Sequence, residues 1–132
     1  MDASPEVAEY LTGHTLAALA TGRQDGSPQV SMIGYAWDGS HVLVTFRRTS
    51  AKRANIARQP KVALLVPDGR RALTVYGDGE LLERDPARVE GFEAIMAAFK
   101  APARPREEMV QQLDDEGRVV VRITPTKFDL HA

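Results

Sequence analysis

Apolar positions in this chain recur in short runs, and their spacing changes along its length. The segments "TLAALATG", "PQVSMIGYAW", "HVLVTF", "KVALLV", "LTVYGDGELLE" and the closing "RVVVRITPTKFDLHA" are short and apolar or alternating, the pattern of strands. Asp-Gly pairs at 25–26, 38–39 and 68–69 separate successive runs. Both residues tolerate positive φ, so these pairs predict tight hairpins. Strands joined in this way are antiparallel neighbours, which favours a meander or barrel over a doubly wound parallel sheet.

Four segments carry helical signals instead. "SPEVAEYLTG" has Ser4 as cap, Pro5 at the first helical position and Gly13 past the end. A second helix is expected over Ser50–Gln59, where Ala51, Ala54 and Ala57 form a small-residue face suited to packing close to a sheet. A third begins with Asp85 as cap and Pro86 at the first position, and its stripe of Val89, Phe92, Ile95, Met96 and Phe99 belongs in a core or a dimer contact. "PREEMVQQLDDEG" allows a fourth. In "GDGE", Gly77 and Gly79 mark a bulge more naturally than an acidic site.

Composition narrows the chemistry. A chain of 132 residues fits one domain, 1–132, with a core large enough to need no staple. The absence of cysteine excludes disulfides, thiolate metal sites and a cysteine nucleophile, and favours the cytoplasm. Redox chemistry therefore needs a bound cofactor. The acidic N-terminus lacks the pattern of a secretory leader and no apolar run approaches about 18 residues, so neither export nor a membrane partner is expected. His14, His41 and His131 lie far apart without metal-ligand spacing, and no G-x-S-x-G occurs, so a metal site and hydrolase chemistry are not expected. A net charge of −1 and a basic run without interleaved aromatics argue against nucleic acid as a partner.

One segment, "TFRRTSAKRANIARQP", has its charges in an unfavourable place. Thr49 and Ser50 are capping residues, yet the first helical turn carries Lys52 and Arg53, where unpaired N–H groups already concentrate positive charge. The segment reads either as a solvated surface helix or as an anion site, with a capping hydroxyl, Lys52 and the Arg47/Arg48 pair converging on a phosphate. Its position, where the strand "HVLVTF" hands over to a helix, favours the second reading: a planar ligand lying on that strand would place its phosphate here.

The order "PQVSMIGYAWDGS" then "HVLVTFRRTSAKRANIARQPKVALLV" resembles the pyridoxamine 5′-phosphate oxidase-like split-barrel flavoproteins, and more closely their small branch using the deazaflavin coenzyme F-420. The resemblance covers nearly the whole chain, and its most specific part is Lys52-x-x-Asn55-Ile56 ending at Pro60. It implies a mainly β fold with short helices, an antiparallel six-stranded split β-barrel of Greek-key type. It also implies a homodimer with cofactor sites at the interface, and hydride transfer between reduced coenzyme F-420 and a small conjugated or heteroaromatic acceptor. An FMN-dependent oxidoreductase of the same fold, or a non-catalytic cofactor-binding protein, is the alternative.

Carried over residue by residue, the resemblance sets Ser31, Met32, Ile33 and Gly34 against the ring through backbone and side-chain contacts. It places Thr45 and Phe46 beside the sugar-like chain, and Arg47, Arg48, Ser50 and Lys52 at the phosphate. Arg47, Arg48 and Arg53 together exceed what one phosphate requires, which would suit the carboxylates of the longer coenzyme tail. No catalytic side chain is implied. Two departures stand out: Ala72 occupies a position where relatives often present Trp or Gln to the ring, and "KFDLHA" has no counterpart of the Arg/His-bearing motif that grips pyridoxamine phosphate. Oxidation of that substrate is therefore not expected.

Overall fold

The computed structural model describes residues 1–131, so the last residue of the expected 1–132 domain lies outside the described residues. Helix α1 (Pro5–Thr12) starts where Ser4 Oγ accepts the Val7 N–H, and it is followed by strands β1 (Leu16–Gly22), β2 (Pro28–Trp37) and β3 (Val42–Arg47). Helix α2 (Ala51–Arg58) then leads into β4 (Lys61–Asp68) and β5 (Arg71–Leu82). Helices α3 (Ala87–Ala98) and α4 (Arg106–Glu116) precede the closing strand β6 (Arg118–His131). The six strands form a closed antiparallel barrel in the order β1-β2-β3-β6-β5-β4, the mainly β split-barrel architecture that the sequence implies.

The three Asp-Gly hairpins form as expected. Gly26, Gly39 and Gly69 take φ of +89°, +100° and +59°, and the Asp25 and Asp38 carboxylates accept backbone N–H groups two or three residues on. Strand alternation then sorts the side chains. Leu19, Tyr35, Val44, Leu64, Val75 and Val121 fill the barrel, while Ala36, Leu43 and Val120 face outward under α3, whose Val89, Phe92 and Ile95 complete a second apolar cluster. Buried Tyr35 donates its hydroxyl to Leu11 O at 2.8 Å, tying α1 to the barrel.

The bulge read from "GDGE" is present, and the partner strand supplies the extra residue: Tyr76 pairs with Lys127 and Gly77 with Pro125, leaving Thr126 unpaired in the ladder. Two helix expectations need correction. Helix α3 begins at Ala87, one residue later than expected, because the Asp85 carboxylate accepts the Val89 N–H at 3.0 Å and grips the Arg88 guanidinium, reaching into the first turn from ahead of it. The alanine face of α2 is turned to solvent. The helix docks through Asn55 and Ile56 instead, since Ile56 has apolar area to bury and Asn55 has partners in Thr21 Oγ1 and Arg58.

At the end of α3, Lys100 follows the capping residue Phe99 with φ +58°, and its N–H donates to Ala97 O. A left-handed residue with a side chain is strained by roughly 1–2 kcal/mol, and glycine's greater freedom when unfolded returns about half of that. Lys100→Gly should therefore stabilise the protein by up to ~1 kcal/mol, seen as a higher urea midpoint with an unchanged slope. A lower midpoint would show that the lysine side chain makes a stabilising contact of its own. Among the described residues, no helix is long and apolar enough to cross a membrane.

Candidate functional site

The barrel is open along part of one seam. Strand β2 pairs with β1 from Pro28 to Gly34 but with β3 only from Tyr35 to Trp37. The Tyr35 N–H donates to Thr15 O, so in this antiparallel register the odd-numbered residues of β2 bond to β1. The main-chain polar groups of Val30, Met32 and Gly34 consequently face the open side, beyond the last β2–β3 pair. A cleft of about 290 Å³ lies at the upper end of this split. Gly34, Thr45 and Arg118 line it from the barrel, Ile95 and Met96 from α3 with Phe99 from its C-terminal cap, and Gln112 and Glu116 from α4.

Gly34 is glycine for a reason of space. A Cβ there would stand 2.5 Å from Cζ of Phe99, whose ring lies on the strand at the cleft mouth. Thr45 spends its hydroxyl proton on Val119 O at 2.8 Å, across the β3–β6 ladder. Glu116 is held from two sides, by Arg118 Nε at 2.7 Å and Gln112 Nε2 at 2.8 Å. Those hydrogen bonds, Arg118's first, hold its carboxyl below the usual carboxylate range, so it is ionised at neutral pH.

At the other end of the split stands the start of α2. Ser50, and not Thr49, is the cap, with its Oγ accepting the Lys52 N–H at 3.2 Å. Among the described residues, Arg47, Arg48 and Lys52 have no carboxylate within ion-pair reach. Lys52 is steadied by an aromatic face, its Nζ lying 5.3 Å from the Phe46 ring centre. Arg53 is different: it is committed to Glu83 through bonds of 3.0 and 3.2 Å, so its charge is not available to a ligand tail. Three positive side chains thus surround a helix start that carries no acidic residue in its first turn.

The expected site residues divide by strand face. Met32, Gly34, Thr45 and Arg47 are on the outer face by the split, and Arg48, Ser50 and Lys52 follow directly in the turn and helix. Ile33 and Phe46 belong to the barrel core, and Ser31 sits on the same inward register with its Oγ buried and without a hydrogen-bond partner among the described residues. The side chains of Ser31, Ile33 and Phe46 therefore turn into the barrel, away from the split, which leaves their main chain for any contact there. Adjacent strand residues point to opposite faces, so a run of three cannot all face one ligand. Sequence reasoning missed Arg118, Gln112 and Glu116. They lie far along the chain from "TFRR" and reach the cleft only because β6 pairs with β3, putting Arg118 opposite Arg47.

Comparison with known proteins gives the same architecture. The family model for pyridoxamine 5′-phosphate oxidase matches residues 3–132. A solved structure described as an F420 reductase is 30% identical, with a TM-score of 0.73, and the match covers 96% of this chain and 98% of that one. The conserved hypothetical protein Rv2991 from Mycobacterium tuberculosis is 26% identical, with a TM-score of 0.84, over 98% of this chain and 84% of its own. HutZ, the heme storage protein from Vibrio cholerae, is 20% identical with a TM-score of 0.71, covering 100% of this chain and 95% of that one, a likeness of fold alone. With its six-stranded split barrel and a family match over nearly its whole length, the chain belongs to the pyridoxamine 5′-phosphate oxidase family, whose members bind flavin-type cofactors and include oxidoreductases.

Proposed function

We propose that the protein binds the deazaflavin coenzyme F-420 along the split and uses it to reduce a small conjugated or heteroaromatic acceptor. The observation that carries this reading is the trio Arg47, Arg48 and Lys52 at the capped start of α2, none of which has a carboxylate within ion-pair reach among the described residues. A phosphate would supply the missing negative charge, with the Ser50 hydroxyl proton and the Ala51 N–H as further donors, since the Lys52 and Arg53 N–H groups are already bonded to Ser50. The 30% identity to a protein described as an F420 reductase favours the deazaflavin over FMN. So does the surplus of three cations over the charge of one phosphate.

The residues present fit such a group. The outward N–H and C=O groups of Met32 and Gly34 can hydrogen-bond the edge of a planar heterocycle, and Gly34 lets the Phe99 ring lie against the strand beside it. Ile95, Met96 and Phe99 exclude water from that side. When bound, the coenzyme supplies the hydride, so the protein's tasks are to bind, orient and desolvate. Glu116 is kept ionised and does not serve as a proton donor. Competitive titration tests the coenzyme: F-420 should outcompete FMN at equal concentration, and displacement of F-420 by FMN would transfer the reading to a flavin enzyme.

The same reading includes a homodimer. Leu16, Val30, Met32, Leu65, Tyr76 and Phe99 are exposed large apolar residues. Strand register gathers most of them on one outer face: Met32, Ala18, Leu65 and Thr74 form one row across four strands, and Val30, Ala20, Ala63 and Tyr76 the next. A face of this kind, continuous with the cleft at Gly34, is suited to cover by a second copy. Light scattering should give a dimer at micromolar concentration, and Met32→Glu should shift it toward monomer. A wild-type monomer that still binds coenzyme would remove the dimer from the proposal.

A further inference from the structure

The geometry points to a second anion site beside the first, in which Arg118 grips the carboxylate of a small planar acid whose apolar body lies against α3. Arg47 and Arg118 face each other on the outer surface of the β3–β6 ladder. Because the Arg48 N–H donates to Gly117 O, the 47/118 pair is one that exchanges no main-chain bonds, the kind whose side chains stand closest. Like charges placed directly opposite repel. Glu116 pairs with Arg118 and acts on Arg47 only at longer range, so the two guanidiniums together exceed this one carboxylate by one positive charge.

The hydrogen-bond inventory decides which sign of ligand fits. Each Glu116 oxygen already has a donor, Arg118 Nε on Oε1 and Gln112 Nε2 on Oε2. The two terminal nitrogens of Arg118 have no partner among the described residues, and the side chain lines the cleft at about one quarter exposure. Glu116 thus fixes the guanidinium by its Nε edge and leaves the fork of the other two nitrogens for a planar, bidentate acceptor. A cation is disfavoured here because Glu116 already pairs with Arg118 and Arg47 stands directly opposite, leaving the local charge positive. Ile95, Met96 and Phe99 flank this fork, and Phe92 closes the wall behind them, so a conjugated or aromatic acid has a surface for its body as well as its charge.

Such an acid counts as the acceptor substrate only if the coenzyme reading above holds; its binding stands independently. The test is calorimetric titration of the coenzyme-free protein with trans-cinnamate and with cinnamamide, which share shape and differ in charge. Cinnamate should bind at least about tenfold more tightly, the discrimination of one charge-assisted pair. Arg118→Gln should bring the ratio near one, and Arg118→Lys, which keeps charge but loses the fork, should leave an intermediate ratio. An equal affinity for both compounds in the wild type, or a preference that survives in Arg118→Gln, would overturn the proposal. A purely structural Arg118 would lower the melting temperature of both variants without changing the ratio, which also overturns it. F-420 affinity should persist in Arg118→Gln, so failure of the acid site and failure of the coenzyme site register in separate titrations.

Discussion

Lys52→Ala should weaken F-420 binding by about 1.5–3 kcal/mol, roughly ten- to a hundredfold, while leaving the melting temperature of the free protein almost unchanged. The affinity term follows from losing a charge-assisted contact to the phosphate. The stability term is a near cancellation. Removing a cation from the positive end of α2 relieves roughly 0.3–1 kcal/mol of repulsion, and losing the contact of Nζ with the Phe46 ring costs about 0.5–1 kcal/mol at a half-exposed position. A solvated surface lysine would change neither quantity, and a lysine serving only the fold would lower the melting temperature alone. Unchanged affinity with a clear drop in stability would therefore refute the anion site.

Gly77→Ala should be among the most damaging single substitutions in the barrel. A Cβ at Gly77 would stand 2.5 Å from the Thr124 carbonyl oxygen and 2.9 Å from Ile123 Cγ2, on the strand that bulges past it. The first obstacle is backbone in a paired strand and cannot swing away, so the cost should be about 3 kcal/mol, or a fall of roughly 10 °C in melting temperature for a domain of this size. Gly79→Ala meets side-chain methyls most closely, Val121 Cγ1 at 3.2 Å and Ile56 Cγ2 at 3.3 Å, with the Pro60 carbonyl oxygen at an ordinary 3.7 Å, and should cost distinctly less. Gly22→Ala meets nothing within 4 Å and should be neutral or better. If Gly77→Ala melted like Gly22→Ala, the close approach at the bulge would be absent in solution.

These glycines show how far local pattern reaches. "GDGE" is legible as a bulge because two glycines interrupt a strand run, but which glycine is indispensable depends on where Thr124 of a strand some fifty residues away is placed. The hairpin turns were legible in full, since an Asp-Gly pair carries its own φ preference and hydrogen-bonding carboxylate. The alanine face of α2 misleads for the opposite reason. Spacing says which residues share a face, while the direction that face points is set by what else the helix can bury, here Ile56 and the Asn55–Thr21 contact.

By itself the sequence determined the strand runs, their antiparallel order and the anomalous cations at the start of α2, all of which are local properties of neighbouring residues. Only the tertiary structure decided which cations remain unpaired, because Glu83, thirty residues on, takes Arg53 and leaves Arg47, Arg48 and Lys52. It also decided which half of each expected ligand contact faces outward. Strand parity separates Met32 and Gly34 from Ser31 and Ile33, but the barrel's closure selects the buried side. Arg118 was invisible for the same physical reason: its meaning lies in standing across a ladder from Arg47, a proximity created by β6 returning to β3 after the chain has gone nearly around the barrel.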